Sequence, residues 1–174
     1  MERDGNMKIR KLMAAVVLGT ALTAGSGVCG AEGLDWLTAQ DVSLGGVQPH
    51  MSLDYVQSVY GEMGQAKAHY VDHVFAYGDS VKIVPTADGT SVKSIIVKAN
   101  NGWATPAGVT VGMDVSILKK LYGEGTANPV KHKAHHMPGY TYYTYWPSAD
   151  HSIYLTFAAK DGKISYIKAG TMEH

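Results

Sequence analysis

Gly46-Val47-Gln48-Pro49-His50-Met51-Ser52-Leu53-Asp54-Tyr55-Val56-Gln57-Ser58-Val59-Tyr60-Gly61-Glu62 aligns without a gap on Gly108-Val109-Thr110-Val111-Gly112-Met113-Asp114-Val115-Ser116-Ile117-Leu118-Lys119-Lys120-Leu121-Tyr122-Gly123-Glu124, 62 residues further along the chain. Gly, Val, Met, Tyr, Gly and Glu recur at six of the 17 positions. Self-similarity at a fixed offset is the signature of a duplicated supersecondary unit. Ser52 and Asp114 are the residue types that accept hydrogen bonds from the free N–H groups of a first helical turn. Met51 and Met113 stand just before them, placed to pack on Val56 and Leu118 as hydrophobic staples. Val56, Val59 and Tyr60, like Leu118, Leu121 and Tyr122, lie at helical spacing. Gly61 and Gly123 sit where a helix ends in a left-handed residue. Each copy is therefore expected to hold a helix of about two to three turns.

After each helix the period changes from 3.6 to two. Three strands are predicted in the first copy: Tyr70 to Tyr77, Val81 to Pro85 and Val92 to Ala99. Three are predicted in the second: Tyr140 to Trp146, Ile153 to Ala158 and Ile164 to Ala169. Asp88-Gly89 and Asp161-Gly162 between alternating apolar runs are hairpin signals. Lys98-Ala99 matches Lys168-Ala169 at an offset of 70, so the second copy carries an insertion between helix and strand that includes Pro129 to Pro138. The expected fold is α+β, with two tandem repeats, each a short helix followed by a three-stranded antiparallel meander. The joint is the turn Asn100-Asn101-Gly102-Trp103-Ala104-Thr105-Pro106. Glu32 to Val42, with Trp36 and Leu37, is expected to form a further short helix.

Lys8, Arg10 and Lys11 precede the apolar run Leu12 to Leu22, and Cys29-Gly30-Ala31 offers small residues for cleavage. This is the pattern of a secretory signal peptide, and Met7 onward already contains all of it. The apolar run is shorter than the roughly 20 residues that span a bilayer. Lipidation of Cys29 is not expected, because Val28 and Ser26 stand where a lipobox has a small and an aliphatic residue. The expected domains are a signal peptide over 1–31, a first unit over 32–100 and a second over 101–174. The expected location is extracytoplasmic: periplasmic, cell-surface or secreted, with no transmembrane segment after cleavage.

The chain has 15 basic and 15 acidic residues. Removing the leader takes away Arg3, Lys8, Arg10 and Lys11 but only Glu2 and Asp4, which leaves a slight acidic excess and no arginine. That composition argues against nucleic-acid binding and against bidentate phosphate recognition. The only cysteine, Cys29, is also in the leader, so neither an internal disulfide nor a thiolate nucleophile is available after cleavage.

The repeat resembles the beta-lactamase-inhibitor-protein-like (BLIP-like) fold, a group that includes the secreted inhibitor and the small outer-membrane-assembly lipoproteins of the SmpA/OmlA type. The resemblance is carried by Gly108-Val109-Thr110-Val111-Gly112-Met113 with Leu118 and Tyr122-Gly123, and by Gly46-Val47 with Met51 and Tyr60-Gly61; it covers about residues 43 to 170. It implies a tandem helix-plus-meander protein whose sheet face binds another protein. This chain departs from the group in lacking the inhibitor's disulfides and the lipoproteins' lipobox.

Three features are candidates for function. His132, His135 and His136 lie in the insertion, with His69, His73, His50 and His151 elsewhere. Zinc needs three or four ligands in fixed geometry, His69 and His73 stand about 13 Å apart along a strand, and Lys131 and Lys133 repel cations. The histidines are therefore weak metal candidates, and no cofactor is expected. Ser148, Asp150 and His151 lie in no Gly-x-Ser-x-Gly elbow, and no glycine-rich phosphate loop is present, so an enzyme is not expected. Tyr140-Thr141-Tyr142-Tyr143-Thr144-Tyr145-Trp146 is the third feature. Alternation puts Tyr140, Tyr142 and Trp146 on one face and Tyr143 and Tyr145 on the other; which of the two meets the core is not decided by the pattern. Tyr154, Tyr166 and Trp103 extend the aromatic set. Tyrosine and tryptophan dominate interface hot spots. The leading expectation is a non-catalytic module that binds a protein or cell-envelope partner through an aromatic sheet face. The alternatives are an envelope structural or assembly factor that works through its helices, and a metal-binding protein built on the histidine loop.

Overall fold

Alternating apolar residues draw one face of β2 to β7 into a common core, and the result is one sheet rather than two. A computed structural model describes residues 37–68, 71–123, 139–147 and 152–172. Seven strands run β1 (Gly64–Ala68), β2 (Val71–Tyr77), β3 (Val81–Pro85), β4 (Val92–Val97), β5 (Thr141–Tyr145), β6 (Ile153–Lys160) and β7 (Lys163–Thr171). They form a single antiparallel sheet in the order β1-β2-β3-β4-β7-β6-β5. Two short helices, α1 (Leu53–Tyr60) and α2 (Ser116–Tyr122), and one 3₁₀ turn (Ala39–Asp41) complete the described elements.

This overturns the expectation of two tandem helix-plus-three-strand repeats. β4 pairs with β7, Ser94 opposite Gly170 through Val97 opposite Ile167, and that seam makes the strands of both halves continuous. The physical reason is the edge: two separate meanders would leave β4, with Val92, Ile95, Ile96 and Val97, and β7, with Ile164 and Ile167, each with a row of unpaired backbone groups. The first half also holds a strand that the pattern does not signal. β1 reads Gly-Gln-Ala-Lys-Ala, residues of low strand propensity, and it exists because it completes a hairpin with β2, Gly64 opposite Ala76.

The helices are short and their starts are tied to the sheet by backbone bonds. The N–H of Leu53 donates to the carbonyl of Thr90 (3.0 Å) and that of Val92 to Met51 (2.8 Å). Likewise the N–H of Gly112 donates to Ile164 (2.7 Å) and that of Ile164 to Met113 (2.9 Å). Ser52 is the N-cap of α1, but its hydroxyl makes no capping bond. Asp114 does cap, since its carboxylate accepts from the N–H of Ser116 at 3.0 Å, although Val115 is the residue at the cap position. Gly61 and Gly123 end the helices with φ of 86° and 77°. Val59 was expected inside and is 54% exposed. The buried residues of α1, Leu53 and Val56, both lie in its first turn, and Val59 and Tyr60 in its last turn are exposed. Over Glu32 to Val42 the described part holds only the 3₁₀ turn, where the Asp41 carboxylate accepts from the N–H and the hydroxyl of Thr38, each at 2.7 Å.

One core lies between the sheet and this helical layer. The sheet supplies Val81, Ile83, Ile95, Val97, Leu155, Phe157, Ile164, Ile167 and Ala169; the other side supplies Val42, Leu44, Val47, Leu53, Val56, Val109, Leu118 and Tyr122. Burying each of the larger side chains stabilises the fold by about 1.5–3 kcal/mol. The opposite face of the sheet has no described element over it, and that face carries the site.

Candidate functional site

The register places the aromatic strand. Tyr142 stands opposite Ala158, and Ala158 stands opposite Tyr166, so two tyrosines flank one alanine on the open face. Ala158 is fully buried there. The rings of Tyr140, Tyr142 and Tyr166 close over it, with centroids 6.4 Å apart for Tyr140–Tyr142, 6.2 Å for Tyr140–Tyr166 and 6.4 Å for Tyr142–Tyr166. These tilted arrangements are the favoured ones for aromatic pairs. Tyr166 reaches this face because the ladder slips between Ala158 and Ala159, which lets Ile164 enter the core and Tyr166 leave it. Burial, then the hydrogen bond with Tyr142, push the Tyr166 phenol well above the usual tyrosine range.

The row continues along the strand. Thr144 and Thr156 face each other with their hydroxyls 2.9 Å apart. Trp146 meets Tyr154 edge-on at 5.7 Å. The outer end of the Tyr154 ring sits over Gly170: a Cβ on that glycine would come within 2.8 Å of the Tyr154 hydroxyl and of the Ser94 Cβ. The absent side chain is what seats the ring.

Lysines border the rings. The Lys160 ammonium is 5.9 Å from the Tyr140 ring centroid and that of Lys168 is 5.2 Å from Tyr154, both within cation–π reach. Across β7, β4 and β3 the register runs Lys168, Ile96, Lys82. Lys98 follows β4, and burial, then the neighbouring Lys82, hold its ammonium below the usual lysine range. The strands β3 to β7 contain no carboxylate. The open face thus joins an aromatic end on β5–β7 to a cationic stripe on β7–β3.

Not every expected residue is on this face. Tyr145 is 6% exposed and packs in the core, 5.2 Å from Tyr122 and 6.0 Å from Phe157. Burial, then its neighbours Tyr122 and Tyr143, push its phenol up to about 12. Tyr143 packs half-buried against the same core. Trp103 belongs to a separate cluster with Tyr60 at 4.7 Å and Tyr77 at 5.9 Å, resting on Gly45. Of the eight aromatics expected at the site, Tyr140, Tyr142, Trp146, Tyr154 and Tyr166 come together and Tyr143, Tyr145 and Trp103 do not. His50 and His73 are exposed at separate places, on a turn and on β2. His69, His132, His135, His136 and His151 lie outside the described residues. Among the described residues no three His, Asp or Glu side chains converge on a metal position. The lysines were missed at the sequence level; the signal was the Lys-Ala pair recurring at 98 and 168.

No family model and no curated protein matches this chain. Among solved structures it is similar to YjgB of Bacillus subtilis, a DUF4309 family protein, at 14% identity over 70% of this chain and 78% of that one, with a TM-score of 0.43. A likeness at that level assigns no activity, and it does not touch the BLIP-like resemblance.

Proposed function

We propose that the protein is an exported, non-catalytic binding module that captures a protein or cell-envelope partner on the open face of its sheet. The observation that carries this reading is the ring cluster of Tyr140, Tyr142 and Tyr166, bordered by Lys160 and Lys168, on a face that no described helix or strand covers. Rings with few rotatable bonds offer apolar area at small entropic cost, and their hydroxyls supply hydrogen bonds. The lysines ask for a partner with acidic groups around an apolar patch. On this reading the work of the site is desolvation and complementarity. Export rests on the leader pattern over residues 1–31, and an inhibitor-like role rests on the BLIP-like resemblance.

Affinity capture from envelope extracts, followed by titration of the isolated partner, tests the reading. Tyr142→Ala and Tyr166→Ala should each weaken binding by about tenfold or more, as interface aromatics do. Lys168→Glu should weaken it and reduce its salt sensitivity. Binding that ignores all three changes would sink the proposal. One observation favours a second reading, a factor that engages its partner through the helices: Tyr55 and Val59, one turn apart on α1, are 57% and 54% exposed. Tyr55→Asp abolishing capture while Tyr142→Ala does not would select it.

A further inference from the structure

An open sheet has two edges, and here they are unlike. β1 reads Gly64-Gln65-Ala66-Lys67-Ala68, and its register with β2 is broken between Ala66 and Ala68, at the lysine. A charge and an irregularity are the devices by which natural edges avoid pairing. β5, the other edge, reads Thr141-Tyr142-Tyr143-Thr144-Tyr145. It has no charge, proline or glycine, and its ladder with β6 runs unbroken from Thr141–Ala159 to Tyr145–Leu155. Its residues are the strand-forming types. Among the described residues no strand lies beyond it.

We propose that the outer edge of β5 pairs antiparallel with β5 of a second copy of this chain, so that two seven-stranded sheets become one across a two-fold axis. The pleat restricts the register, because residues directly opposite each other must point to the same face. The axis therefore passes through a residue and not between two. With the axis at Tyr143, Tyr143 meets its own copy, Tyr142 meets Thr144, Thr141 meets Tyr145, and Tyr140 meets Trp146. Every opposed pair is aromatic with aromatic or aromatic with threonine, both favourable across strands, and no two charges are brought together. A two-fold interface demands this kind of self-complementarity. An edge made of tyrosine and threonine has it, whereas one carrying Lys67 opposes like charges in some registers. The pairing also extends the open-face row, since Tyr140 and Tyr142 continue into Trp146 and Thr144 of the second copy. The inference concerns the backbone edge and stands even if the open face captures nothing.

Sedimentation equilibrium of the whole chain across the micromolar range should show a dimer. Thr141 is exposed, so Thr141→Lys puts an ammonium group on the edge without disturbing the core, and the dimer should weaken by about tenfold or more. Tyr143→Lys and Tyr143→Glu each place like charges opposite one another at the axis and should be monomeric alone; mixing them should restore a dimer. Circular dichroism checks that both fold, and Thr141→Lys decides the matter if they do not. A monomer throughout the range, or a dimer indifferent to Thr141→Lys, overturns the proposal. So does a monomer that binds a synthetic peptide of residues 139–147, because the edge would then take a foreign strand in place of a second copy.

Discussion

Gly170 and Tyr145 show how single positions hold the two faces of the sheet. Gly170 has no room for a methyl group, with Ser94 and Tyr154 both at 2.8 Å from a built Cβ. Gly170→Ala should cost about 1–3 kcal/mol, the usual cost of overpacking, read as a lowered denaturation midpoint. It should also lift Tyr154 off the sheet and change the Trp146 fluorescence. Tyr145 has a phenol raised to about 12 by burial and by its neighbours. An unfolded tyrosine ionises near pH 10, so the unfolded chain loses this proton before the folded one does. The contribution is fully present below pH 10 and is lost as pH rises towards about 12. A melting temperature that falls across that window, less steeply in Tyr145→Phe, is the expected outcome. The aqueous acid side behaves oppositely: hydrogen bonds from Ser116 and then the Lys163 ammonium hold the Asp114 carboxyl below its usual range. Its small contribution is present above the ordinary aspartate range and is lost as pH falls below it.

At the scale of elements, the turns and the roughly two-turn helices were legible, and the strand β1 was not. Asp161 and Gly162 take φ of 52° and 75° between Lys160 and Lys163, which face each other across the hairpin; that is the tight turn the Asp-Gly signal names. α1 and α2 are only 8 and 7 residues long, too short to be stable alone. They persist because Leu53, Val56, Leu118 and Tyr122 are buried against the sheet. Leu118→Ala should therefore cost about 2–5 kcal/mol, the range for a truncated core leucine, with loss of the α2 helical signal. Lys120→Ala, on the exposed side of the same helix, should change stability by no more than about 0.5 kcal/mol. β1 shows why strands can escape a pattern reading: Gln65, Ala66 and Lys67 carry no alternating apolar signal, and only the partner strand holds them extended.

The molecule as a whole unfolds as one body if the β4–β7 seam and the shared core are what hold it. Trp103 reports on the first half and Trp146 on the second. In a Trp36→Phe background, a single change of either to Phe leaves one tryptophan, in the other half, and both variants should unfold at the same denaturant concentration. Two separate transitions would mean that the seam from Ser94–Gly170 to Val97–Ile167 couples the halves weakly. Composition, the absence of arginine and cysteine beyond residue 31, the hairpin turns and six of the seven described strands could be read from the residues themselves, because each depends on local chemistry or on spacing along the chain. The division of β5 into a core face and an open face could not. Its aromatics alternate onto both sides, so the pattern is symmetric, and Tyr122 and Phe157, brought from distant segments, decide that Tyr143 and Tyr145 turn inward. The joining of two halves into one sheet was likewise decided only in three dimensions, since strand alternation fixes which side chains share a face and says nothing of which backbone edge will find a partner.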